Sequence, residues 1–280
     1  MCFKTGCTAA QRANMAMTRQ RANNVKRYLC CAYSLLLTCL PVCWAGAPAA
    51  ANQPTLVLND PTNAPFTTEA GDGFFDIIVG EAFRRAGLHL KLIRLPAERA
   101  LMNANAGIED GDLSRIAGLE KNYPNLVRVP EKILDMHFVA FTRKPEPAEA
   151  SWTGFDPYTV GYIKGWKVFE QNLSSTTQVS MAGDPGQLFT MLDKNRIDVA
   201  LYDRWMGYAL AKQMQITDVR VLEPPLAVRE MFIYLHQRHA DKIPAIAAAL
   251  RAIKAEGMYT KVCREKFAPL ARPSAQCDVK

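Results

Sequence analysis

The sequence predicts an α/β protein built as two lobes of similar design joined by two crossings. Three observations carry that prediction. Short apolar runs alternate with segments whose apolar residues recur at helical spacing. The alternation halts at a proline-rich break and then begins again. A second proline break is followed by one strand and two leftover helices, so the chain is expected to leave the first lobe, build the second and return. Each lobe is expected to be a mostly parallel sheet flanked by helices. The first lobe takes 54–143 and 228–268, the second takes 144–227, and 269–280 forms a tail.

The elements follow in order. A short apolar strand over 55–58 ends in Asn59-Asp60-Pro61. Phe75, Ile78, Val79, Ala82 and Ala86 then mark a helix face that Gly87 terminates. A strand over 88–95, a helix over 97–106 stopped by Gly107, a strand over 113–117 and a long strand over 133–142 complete the first pass. Lys144-Pro145-Glu146-Pro147 interrupts. The same grammar resumes with strands over 159–163, 178–181, 197–202 and 219–222, and helices over 166–173, 186–194 and 204–214. After Glu223-Pro224-Pro225 come a strand over 231–235 and helices over 240–255 and 258–267. Two short crossings can bend while neither lobe unpacks, which makes them a hinge.

Composition narrows the function classes. The 280 residues are 49% apolar and 22% charged, which excludes disorder and a polytopic membrane protein. The net charge of +7 suggests nucleic acid until its placement is examined. Lys4, Arg12, Arg19, Arg21, Lys26 and Arg27 all precede residue 54, with no acid among them. Without these six, 28 basic residues face 27 acidic ones, a net charge of +1, and nothing marks the body as a nucleic-acid partner.

The basic stretch opens a leader. An uncharged apolar run over 28–40 follows Arg27, then Pro41 and the small residues Ala45-Gly46-Ala47-Pro48-Ala49-Ala50-Ala51. That order is the signature of an export signal over 1–50, cleaved between Ala45 and Ala51, and it places the mature chain in the periplasm. The competing reading, a retained anchor, fails on the length of the apolar run. Six of the eight cysteines lie in this leader, leaving Cys263 and Cys277 to form one bridge. No metal site is expected: His89 and His137 are isolated, and His236-Gln237-Arg238-His239 lacks the spacing of a zinc pair.

Taken together, Leu56-Val57-Leu58 with Pro65-Phe66, Gly73-Phe74-Phe75-Asp76, Gly111-Asp112-Leu113, Gly165, and Ile197-Asp198-Val199-Ala200 followed by Asp203 form an ordered set. Over almost all of the mature length the chain resembles a bacterial periplasmic solute-binding protein of family 3, the amino-acid type that serves ABC transporters. The stretch from Gly111-Asp112-Leu113-Ser114-Arg115 to Tyr123-Pro124 and Arg128-Val129-Pro130 resembles a divergent branch of it. The resemblance implies the type II clamshell fold and capture of a small polar solute, an amino acid or related carboxylate. It also implies a monomer with an inner-membrane ABC permease as partner, and no cofactor.

One departure bears on the ligand. The common pattern follows the third strand with a Thr-x-x-Arg step whose Arg grips the ligand carboxylate, whereas this chain reads Leu119-Glu120-Lys121-Asn122-Tyr123-Pro124. Arg115 and Arg99 are the nearest replacements, each able instead to pair with a local acid such as Glu98 or Asp112. The resemblance assigns Asp203 to a ligand ammonium group, although an Asp before a helix is equally an N-cap. Gly165 and Trp166 precede a helix whose N-terminal amides suit an anion, and Trp166 either covers the ligand or packs. Asp60 and Phe66, at the first strand's exit, complete the expected ligand set; Phe66 either stacks on the solute or sits in the core.

Enzyme motifs are missing. No Gly-x-Ser-x-Gly elbow, P-loop, His-Glu-x-x-His or complete dinucleotide fingerprint occurs, and no enzymatic activity is expected. The alternatives are a periplasmic enzyme on the same fold, since some dehydratases share it, and a soluble ligand sensor for a signalling partner.

Overall fold

The computed structural model describes residues 53–270 together with Cys277. The predicted leader over 1–50 and most of the predicted tail lie outside the described residues. Nine strands join in one curled sheet of order β2-β1-β3-β9-β5-β8-β6-β7, with β4 pairing on β9. The strands are β1 (Thr55–Asn59), β2 (His89–Ile93), β3 (Gly111–Ile116), β4 (Leu126–Arg128), β5 (Leu134–Thr142), β6 (Thr159–Ile163), β7 (Gln178–Ala182), β8 (Val199–Asp203) and β9 (Arg220–His236). The helices are α1 (Phe74–Arg85), α2 (Ala97–Ala106), α3 (Lys167–Glu170), α4 (Pro185–Asp193), α5 (Arg204–Gln213), α6 (Ile243–Ala255) and α7 (Met258–Phe267).

Two parallel blocks sit at the ends of the sheet. β2, β1 and β3 run parallel at one end, and β8, β6 and β7 at the other. Between them β9 and β5 are antiparallel to their neighbours and to each other. The expected parallel sheets therefore form, with an antiparallel pair shared between them. β5 meets the far end of β9 through Leu134 to Phe138 and its near end through Ala140 to Thr142.

The local signals explain the element ends. α1 buries Phe74, Phe75, Ile78, Val79, Ala82 and Phe83, the i, i+3, i+4 stripe, against α6 and α7. Gly107 ends α2 with a left-handed backbone at φ +74°, which glycine adopts without strain. Asp184 caps α4 by accepting a hydrogen bond from the Gln187 amide at 2.8 Å, with Pro185 in the first turn. Rings of Phe66, Phe74, Phe75, Tyr259 and Phe267 interlock beneath α1, and Trp205 of α5 stacks on Phe267 at 4.9 Å.

Two expectations need correction, and one strand is unforeseen. The break at Pro224-Pro225 does not end a strand: β9 runs through it for 17 residues. The prolines fall within 223–226, which have no ladder partner on β5 because the register shifts between Phe138 and Ala140. There a missing N–H removes no ladder bond. The helix expected over 166–173 is only the four-residue α3, held by Gly165 N–H donating to Glu170 Oε1 at 2.9 Å. The last, β4, has no sequence prediction; its three residues are too few for a period to register.

Candidate functional site

The ends of β1, β3 and β6 converge on a cleft of about 520 Å³. One wall comes from Pro61 and Thr62 after β1 and from Glu98 and Leu101 of α2, and Ser114 and Arg115 of β3 form the floor. The opposite wall is the segment from Gly165 to Gln171 after β6. Met136 and Phe138 alternate on β5 and so present the same face to the cleft. Carboxyl ends of parallel strands are where open α/β sheets place ligands.

Backbone irregularity marks the floor. Between Asp112 and Arg115 the pairing of β3 with β9 shifts, and Ser114 takes a left-handed backbone at φ +63°. A non-glycine residue there is strained, and such strain concentrates where a structure positions functional groups. The Ser114 hydroxyl is buried yet has no hydrogen-bond partner among the described residues. A buried hydroxyl without a partner costs about 1–3 kcal/mol.

Beside it, the Arg115 guanidinium grips Asp112 with two hydrogen bonds of 2.9 Å, Nε to Oδ1 and Nη2 to Oδ2. Asp112 is fully buried. Burial pushes its carboxyl up to about 6, and the attraction of Arg115 only partly opposes this. Across the cleft, Lys167 Nζ donates to Glu170 at 2.7 Å. Trp166 is half-buried, stacked on Phe169 at 5.7 Å and tilted onto Tyr202 at 4.9 Å, with Phe138 meeting it edge-on at 5.9 Å.

No family model matches the chain. An uncharacterized protein of Shewanella oneidensis is 26% identical over 197 residues, covering 66% of this chain and 73% of its own. An ancestral arginine-binding protein bound to arginine aligns with a TM-score of 0.65 at 16% identity, over 76% of this chain and 98% of its own. A histidine kinase sensor domain with similarity to periplasmic binding proteins gives 0.64 at 14% identity, over 78% and 98%. The fold is that of the type II periplasmic binding proteins.

On this periplasmic-binding-protein fold the expected ligand residues separate. Arg115, Gly165 and Trp166 are brought together in the cleft; Asp60, Phe66, Arg99 and Asp203 are not among the residues that line it. Phe66 is fully buried, stacked on Phe75 at 5.0 Å, because the loop after β1 turns its ring under α1. Asp60 also points inward: Oδ1 accepts from the Thr62 amide at 3.0 Å and its hydroxyl at 2.7 Å, a local turn that shapes the cleft rim, and burial raises its pKa. Arg99 is exposed outside the cleft, and Glu98, one residue earlier, faces in. Gly165 N–H is already taken by Glu170, and α3 is too short to present the expected anion-holding helix end.

Asp203 caps α5. Its Oδ1 accepts from the amides of Trp205 and Met206, both at 2.9 Å, while Oδ2 is buried with no hydrogen-bond partner among the described residues. Burial pushes its carboxyl up to about 7, against the pull of those amides. The residue three places on, Met206, reaches the cleft. Sequence reasoning also missed Glu98, Ser114, Tyr123, Met136, Phe138 and Met231 as lining residues. Only the alternation of Met136 and Phe138 along a strand offered a signal for any of them.

Proposed function

We propose that this chain is a periplasmic solute-binding protein of the amino-acid type, which captures a small polar solute, an amino acid or related carboxylate, by closing its lobes on it and delivers it to an ABC permease. The supporting observation is the cleft floor, where the strained, unpartnered Ser114 lies beside Arg115 and faces Gly165 and Trp166 across the gap. A solute touching both walls stabilises the shut arrangement by its differential affinity for it. The arginine-binding neighbours, matched along nearly their whole length, support binding rather than catalysis.

Thermal unfolding of the purified protein against a panel of amino acids, organic acids, polyamines and sugars tests the reading. Ligand at a hundredfold over Kd stabilises by about 2.7 kcal/mol, which raises Tm by roughly 5–11 °C for a chain of this size. A panel without a shift refutes it, and conversion of the active compound to product turns the reading to an enzyme. The similarity to a kinase sensor domain favours a second reading, a ligand sensor with a signalling partner. Crosslinking in the presence of ligand distinguishes the two, since a permease and a receptor are different captured partners.

A further inference from the structure

The cleft's walls are apolar although its floor is polar. Leu101, Ile116, Leu119, Met136, Phe138 and Met231 line it, and Trp166 adds an aromatic face. Ile116 is 45% exposed, an apolar side chain that the body of a ligand can cover. The basic groups on the lining are already engaged, Arg115 by buried Asp112 and Lys167 by Glu170. A second charge on the ligand would be drawn out of water against methionine, leucine and phenylalanine; Glu98, the one acid among the lining residues, stays exposed to solvent on α2, where an ion pair recovers little of the lost hydration. An aliphatic or aromatic body would cover Ile116 and fill the wall, and methionine side chains adapt to such shapes.

We propose that the ligand is a monocarboxylate or amino acid with one polar head and a bulky apolar body, the head lying against Ser114 and Arg115 and the body against Ile116, Met136, Phe138 and Trp166. This rests on the binding reading above and narrows its substrate class. It separates the chain from the arginine-binding proteins that share its fold. The unpartnered, buried Ser114 hydroxyl supplies a fixed donor for the head, and the open wall supplies selectivity by size.

Titration calorimetry of the purified protein with L-leucine, L-phenylalanine, 4-methylpentanoate, L-alanine, L-arginine and L-glutamate tests the assignment. L-Leucine or L-phenylalanine should bind at least about tenfold more tightly than L-alanine, the discrimination expected when an apolar pocket loses methylene groups. L-Arginine and L-glutamate should bind more weakly still. The half-exposed Ile116 tolerates a charge without loss of fold, so Ile116→Glu should lower affinity for the apolar ligands about tenfold or more with an unchanged circular dichroism spectrum. Tight binding of arginine or glutamate with leucine and phenylalanine silent overturns the substrate class and leaves the binding reading standing. Leucine or phenylalanine binding that Ile116→Glu does not alter also overturns it. Silence across these six compounds overturns the substrate class, and silence extending to the sugars and polyamines overturns the binding reading as well.

Discussion

Replacing Asp203 with asparagine should stabilise this protein in a manner that depends on pH. The amide oxygen of asparagine can still accept the Trp205 and Met206 amides, so the α5 cap survives, while the buried charge is removed. Burial moves the carboxyl from an ordinary 3.8 to about 7. At about 1.4 kcal/mol per factor of ten in the ionisation constant, the ionised native form carries a penalty on the order of 4 kcal/mol. Below the ordinary value the carboxyl is neutral in folded and unfolded chains and the wild type suffers nothing. As pH rises from there towards 7 the unfolded chain loses its proton first, and wild-type stability falls; above 7 both states are ionised and the loss is complete. Urea unfolding of wild type and Asp203→Asn between pH 4 and 9 reads this directly. The variant's advantage should grow through that window and level off near pH 8. A difference that stays flat with pH would refute the assignment of the strain to an ionised Asp203.

Other perturbations have equally definite outcomes. Gly207→Ala places a methyl 2.1 Å from the Phe141 ring, which is fully buried and cannot retreat, so it should destabilise by about 1–3 kcal/mol in chemical unfolding; an unchanged midpoint would show that α5 sits differently on β5. Arg115→Met leaves Asp112 buried without its ion-pair partner and should lose about 3–5 kcal/mol at pH 8. The loss should shrink as pH falls from 8 towards 6, because without Arg115 the buried Asp112 takes up its proton at higher pH than in the wild type, and a pH-independent loss would contradict that origin. Cys263 and Cys277 are bridged, separated by 14 positions. Cys277→Ser should cost about 3 kcal/mol by the loop-entropy argument, lowering Tm by roughly 6–12 °C in a melt compared with the oxidised wild type. Gly165→Val forces a branched side chain into φ +91° at the cleft rim, and reduced ligand affinity by calorimetry with a small loss of stability is the expected pair of effects.

Much of the architecture was legible because it depends on period. The α1 stripe, the glycine stops at Gly87 and Gly107 and the alternating strands are local signals, and each appears near its expected place. The two failures in regular structure have different causes. Pro224-Pro225 reads as a break locally, and only the tertiary register shift opposite Val139 makes it harmless within β9. The helix after Gly165 ends at Glu170, whose carboxylate turns back to the Gly165 amide, a side-chain choice that periodicity does not record. The site was less legible. Arg115, Gly165 and Trp166 came from position relative to strand ends, whereas Phe66 and Asp60 occupy a similar strand exit but turn inward. Ser114 was invisible because its importance lies in a backbone torsion and a missing partner, and neither is written in residue type.

The paired strands β5 and β9 carry a mechanical consequence. Both parallel blocks hang from this one ribbon, so neither can slide past the other without shearing its hydrogen-bonded rungs. Wringing is the motion such a strip permits, and slack for it exists where residues 223–226 leave the ladder. A twist centred there would swing the two walls through an arc while the rungs at either end stay intact, and Phe138, beside the register shift, itself lines the cleft. On the proposed reading, a solute held in the cleft therefore contacts the very residue about which the walls would turn.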